Sequence, residues 1–146
     1  MSLLDAPEYD ASRERRKALL ALGAVLLVAV LAAAGYRFRN WPEERVVDRF
    51  FAALQVKDYE TAYGIWLADP DWKQHRDRYA NYPYGDFYRD WGPGGEWGLI
   101  RSYRIEGSVT PAHGTGIIVE VTVNDRAQKA RVWVETKDKS LTFPPI

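Results

Sequence analysis

The side chains able to do chemistry crowd into one part of this chain. Asp86, Asp90 and Glu96 lie among Tyr82, Tyr84 and Tyr88. A carboxylate of raised pKa beside an oriented hydroxyl is the pairing that general acid–base catalysis uses, so the residue types are present. The same acids, however, sit in a Gly- and Pro-rich stretch, where such side chains are ordinarily solvated or cap a turn. No catalytic residue is therefore assigned. His75 lies among Lys73, Arg76 and Arg78, and His113 lies in a turn. Neither has company at metal-ligand spacing, so both are expected to be solvated, with no metal site and no cofactor. Cysteine is absent, which excludes disulfides, thiolate nucleophiles and thiolate-bound zinc or iron–sulfur centres. No dinucleotide or P-loop glycine pattern, H-E-x-x-H or G-x-S-x-G occurs.

Aromatic side chains are the more unusual feature. The chain has nine Tyr and six Trp, most of them between Tyr59 and Trp97. Rings give large contact area at little entropic cost, which makes Tyr63, Trp66, Trp72, Tyr79, Tyr88, Trp91 and Trp97 the candidate ligand-binding residues for an apolar ligand or partner segment. A competing reading has these rings completing the core of a small domain, which must bury most of its large side chains. Acidic and basic residues number 20 each. With no net field, nucleic acid is not an expected partner.

Upstream of these residues stands a segment of a different kind. From Ala18 to Tyr36 (ALLALGAVLLVAVLAAAGY) there is no charged side chain, and as a helix the run is long enough to cross a hydrocarbon core of about 30 Å. Its Leu and Val residues contribute about −3 to −5 kcal/mol to insertion, a sum that one central Arg would nearly cancel. The segment is apolar all round, unlike a core helix with a polar side. Ala32 and Ala34 also make an A-x-A pattern ahead of Gly35, so a cleavable signal peptide competes with a signal-anchor. Arg13, Arg15, Arg16 and Lys17 precede the span, against Arg37 and Arg39 immediately after it, which favours a cytoplasmic N-terminus. Tyr36, Phe38 and Trp41 read as an interfacial anchor. The expected organisation is a charged cytoplasmic tail (1–17), a transmembrane helix (18–36), a juxtamembrane linker (37–42) and a soluble domain (43–146). The bilayer is the expected partner, and the inner (plasma) membrane the expected location, with the domain periplasmic or extracellular.

Asn40-Trp41-Pro42-Glu43 looks like a helix start, with Asn40 as cap and Glu43 as capping-box acid. Val46, Val47, Phe50, Phe51 and Leu54 then recur at helical intervals to about Gln55. A second helix is expected over Tyr59–Leu67, ended by Asp69-Pro70-Asp71. Trp72, Arg76 and Tyr79 fit one helical face before Asn81, Pro83 and Gly85 break it. Asp86–Trp91 is expected to make a further turn, which Gly92-Pro93-Gly94-Gly95 terminates. From Gly98 the period becomes two: strands are expected over Leu99–Ile105, Ile117–Val123, Ala130–Val134 and Leu141–Phe143, joined by turns at Pro111–Gly116, Asn124-Asp125 and Lys137-Asp138-Lys139. The fold class is α+β, with helices first and an antiparallel meander of about four strands after them.

The run VVDRFFAALQVKDYETAYGIW resembles the start of nuclear-transport-factor-2-like domains, which share the cystatin-like roll. Phe50, Phe51, Ala53 and Leu54, then Asp58, Tyr59 and Ala62, carry the resemblance, while Pro83–Gly98 departs from the family's pattern. The resemblance implies a curved sheet wrapped around the first helix, with a conical pocket between them. Some members are ketosteroid isomerases or scytalone dehydratases that use an acidic base, or a His/Asp pair with Tyr donors. Others resemble this chain in having a tail, one span and such a domain outside, among them an inner-membrane assembly subunit of type IV secretion systems. Fold-level likeness carries little about function. The expectation is a membrane-tethered, non-enzymatic binding or assembly module of the bacterial-type cell envelope, able to join a membrane protein complex. The alternative is an isomerase- or dehydratase-like enzyme with a pocket acid and Tyr.

Overall fold

The computed structural model describes residues 8–146, and residues 1–7 of the expected tail lie outside them. The chain divides into two compact units that meet between Arg39 and Asn40. The first is built on one helix, α1 (Ala11–Arg37). It begins within the expected tail because Asp10 caps it, accepting from the backbone N–H of Ser12 and of Arg13 at 3.0 and 3.2 Å. None of its residues is buried, and its Leu and Val side chains from Leu19 to Leu31 are 56% to 68% exposed. At 27 residues it is long and apolar enough to cross a membrane.

The second unit is an α+β domain with the element order α2 (Trp41–Gln55), α3 (Tyr59–Leu67), two 3-10 turns (Trp72–Gln74 and Arg76–Tyr79), α4 (Tyr84–Trp91), then β1 (Tyr103–Val109), β2 (Gly116–Val123), β3 (Lys129–Glu135) and β4 (Leu141–Thr142). The strands form one open antiparallel sheet in sequence order. Alternation sets the register: Ile117 faces Val134, Val119 faces Val132 and Val121 faces Ala130, and all six are buried. They pack with Val46, Val47, Phe50, Phe51 and Leu54 of α2 into a single core. Full burial of each such side chain contributes about 1.5–3 kcal/mol. β4 is short, pairing only Trp133 with Thr142 and Val134 with Leu141, and Phe143-Pro144-Pro145 follows it.

Three expectations need correction. Asn40 makes no side-chain cap on α2; its Nδ2 donates instead to Ser108 Oγ and Thr110 Oγ1, each at 3.1 Å. Glu43 does not complete a capping box but is buried, with Oε1 3.2 Å from Lys139 Nζ. β1 starts at Tyr103 rather than Leu99, because Asn124 engages the intervening backbone. Its Oδ1 accepts from the N–H of Arg101 and of Ser102 at 2.8 and 3.2 Å, and its Nδ2 donates to the Leu99 carbonyl at 2.8 Å. β1 also carries a bulge between Ile105 and Gly107, where Gly107 takes a φ of 152° that favours glycine.

Candidate functional site

The seven aromatic candidates divide among different surroundings. Trp66 and Trp91 belong to the core, their rings 5.5 Å apart, and Trp91 stacks on Phe143 at 6.0 Å and 5°. Trp97 is buried beneath the Arg126 guanidinium, 5.6 Å from its ring. Tyr88 is exposed and meets Tyr59 edge-on at 5.2 Å. The remaining three, Tyr63, Trp72 and Tyr79, line a cleft of about 310 Å³ together with Arg76, Pro83, Tyr84 and Gly85.

That cleft is positioned by the chain between α3 and α4. Asp58 caps α3, accepting from the Thr61 N–H at 3.2 Å. Ala68 ends the helix in the left-handed region with φ 53°, and Asp69 N–H returns to the Gly64 carbonyl at 2.9 Å. The backbone then makes two 3-10 turns where the sequence spacing suggested one helical face. Trp72, Arg76 and Tyr79 still share a side of the segment and reach the same cleft. Trp72 stacks on Tyr84 at 5.3 Å and 17°, and Tyr63 stands edge-on to both, at 4.8 Å from Trp72 and 5.5 Å from Tyr84.

Hydrogen bonds hold these rings in place. Trp72 Nε1–H donates to the Glu60 carbonyl at 3.2 Å, and the Tyr63 hydroxyl to the Tyr82 carbonyl at 2.6 Å. The Tyr79 hydroxyl donates to Asp69 Oδ2 at 2.6 Å, and His75 Nδ1 lies 2.8 Å from that same oxygen. The expectation of a solvated His75 is thus corrected: a half-buried carboxylate from the end of α3 holds it. The Tyr79 hydroxyl, and after it His75, lower the Asp69 carboxyl below its ordinary value. Burial pushes the phenols of Tyr63 and Tyr84 up, and the bond to Asp69 does the same for Tyr79. All three phenols therefore keep their protons at neutral pH.

The three acids weighed for catalysis stand apart from the cleft lining. Asp86 pairs with Arg89 at 3.2 Å. Asp90 accepts from the Tyr82 hydroxyl at 2.9 Å, and burial together with this bond raises the Tyr82 phenol. Glu96 is exposed, and its Oε1 accepts from Gln128 at 3.1 Å. Among the described residues, no three His, Asp or Glu side chains come together as a metal site.

Two other cavities flank the domain. One, of about 630 Å³, lies between α2, α3 and the turn before β4, and Trp72 forms part of its wall. Its rim carries both signs, with Lys73 on Glu60 at 2.5 Å, so it selects little by charge. The other, of about 610 Å³, runs from Trp97 to Arg126 along the backbone that Asn124 holds. The 310 Å³ cleft differs from the other two in its lining, four aromatic residues with Arg76 as the one charged side chain. Sequence reasoning found three of its rings but missed Tyr84 and Arg76 as partners. The four-residue step from Trp72 to Arg76 was the available signal, and the contact of Trp72 with Tyr84 needed α4 in place.

No protein-family model, curated protein or solved structure matches this chain. The class that the structure itself defines is a small α+β domain with an open four-stranded antiparallel sheet, behind one apolar N-terminal helix.

Proposed function

We propose that this chain is a membrane-tethered, non-enzymatic binding or assembly module of the bacterial-type cell envelope. Its α1 spans the inner membrane with the N-terminus in the cytoplasm, and its domain lies outside on a nuclear-transport-factor-2-like plan. The observation that carries the tether is the exposure of every Leu and Val on α1. Such a cylinder is unfavourable in water and at home in lipid, where all its backbone groups are already bonded internally. A span confines the domain to the bilayer surface and raises its effective concentration toward partners there.

The binding role draws on the aromatic cleft. A second, enzymatic reading draws on the Asp69–His75–Tyr79 cluster and on the Asp90–Tyr82 contact. Of those five residues only Tyr79 lines the cleft, and the Asp69 carboxyl is lowered rather than poised near neutrality as a base would be. The binding reading is therefore preferred.

Val28→Arg tests the tether. The parent chain is expected in the carbonate-resistant membrane fraction and the variant outside it; an equally resistant variant contradicts the span. Because the chain has no cysteine, Ser12→Cys and Lys137→Cys report topology without background. An impermeant maleimide should label Lys137→Cys in intact cells and Ser12→Cys only after permeabilisation.

A further inference from the structure

We propose that the cleft lined by Tyr79, Tyr84 and Arg76 binds a small aromatic carboxylate, its ring against the two tyrosine rings and its carboxylate on the Arg76 guanidinium. This rests on the reading of the domain as a binding module and names the chemistry of its ligand.

Charge argues for the anion. Of the residues that line the cleft, Arg76 alone carries a charge, and it has no carboxylate partner among the described residues. Four of the acids nearby make bonds of their own: Glu60 with Lys73, Asp69 with His75 and Tyr79, Asp86 with Arg89, and Asp58 with the Thr61 N–H. An entering anion meets the Arg76 guanidinium as the one charge in the lining. The guanidinium already lies over the Trp72 ring, 5.6 Å from its centroid, which places its planar fork beside the wall where a bidentate carboxylate would sit.

Shape argues for the ring. The Tyr79 hydroxyl is bonded within the protein, so this half-buried residue offers a guest mainly ring surface, while Tyr63 and Trp72 are buried and back the cleft. The Tyr84 hydroxyl has no hydrogen-bond partner among the described residues and adds a second polar contact beside Arg76. A sugar would need more polar groups than these two. The volume of about 310 Å³ lies at the small end for ligand sites and suits a single ring with a short acid arm. Gly85 keeps the cleft accessible: a Cβ there meets no heavy atom within 4 Å, so a larger side chain enters open space without backbone strain.

The test uses the full chain in lipid nanodiscs, with 3-phenylpropionate and its uncharged amide as probes. Saturation-transfer NMR reads the binding, and signal from empty nanodiscs is subtracted. The acid should bind saturably, and the amide about tenfold or more weakly, as loss of a charge-assisted hydrogen-bond pair requires. Arg76→Gln should remove the preference for the acid while leaving weak binding of both probes, and Gly85→Leu should weaken both; circular dichroism checks that each variant is folded. Absence of saturable binding to the parent, an acid preference that survives Arg76→Gln, or full binding by folded Gly85→Leu overturns the proposal. Carbonate extraction of the same chain separates the two readings: an integrated protein that ignores the acid defeats only the ligand assignment, whereas an extractable one defeats the tether.

Discussion

Tyr79 donates its hydroxyl to Asp69 Oδ2 at 2.6 Å, so a residue of the cleft is fixed by a carboxylate at the end of α3. This bond is the largest influence lowering the Asp69 carboxyl below its ordinary 3.8. A carboxylate held down in the folded state adds stability that is complete above its unfolded value and is lost as pH falls through the folded one. Tyr79→Phe should therefore move the Asp69 midpoint up toward 3.8 in a carboxyl-carbon NMR titration. The stability gap between parent and variant should narrow on acidification through that range. A midpoint that does not move would show the hydroxyl to be incidental.

Glu106 stands at the β1 bulge, and its Oε1 accepts from three residues: Thr122 through Oγ1, Arg104 through Nε at 3.1 Å and Nη2 at 2.7 Å, and Lys129 through Nζ at 3.1 Å. The Thr122 hydroxyl, then Arg104 and Lys129, hold its carboxyl down at about 2 against an ordinary 4.5. The sign is the same as for Asp69: the contribution is complete above about 4.5 and disappears as pH falls toward about 2. Glu106→Gln should lower the urea midpoint at neutral pH, and parent and variant should converge as pH drops through that window. A gap independent of pH would mean that the carboxylate charge does not hold the bulge.

Asn124 combines a φ of 50° with three side-chain bonds to the backbone of residues 99, 101 and 102. Asn124→Ala removes those bonds and leaves a β-carbon in the left-handed region, at a cost of about 2–3 kcal/mol. Asn124→Gly should recover about 1 kcal/mol of that, the share due to the left-handed backbone. Urea unfolding of the three proteins measures both steps, and equal stability of the Ala and Gly variants would refute the backbone component.

What the sequence made legible was what short-range pattern determines. The stripe Val46, Val47, Phe50, Phe51 and Leu54 buries as its spacing demands, and the alternation from Ile117 to Val123 and from Ala130 to Val134 fixes which side chains enter the core. Gly92 to Gly95 ends α4 where glycine and proline oppose helix. What escaped was set by distant partners. Asn40 has the composition of a cap, yet hydroxyls 68 and 70 residues away claim its amide. Leu99 to Ser102 alternate like a strand, but a side chain from beyond β2 takes the bonds that a ladder would use. His75 reads as solvated because Asp69, the partner that holds it, shows in the sequence only as part of a helix end. The cleft was half legible for the same reason: ring types are visible in a sequence, whereas which rings face one another depends on where α4 packs.

The brevity of β4 bears on how copies of the domain behave when crowded. Beyond Thr142 the chain offers Pro144 and Pro145, which carry no amide hydrogen with which to recruit a neighbour's backbone. That flank of the sheet is therefore a poor template for strand-by-strand growth. Copies at high local density can collide there repeatedly without polymerising along it.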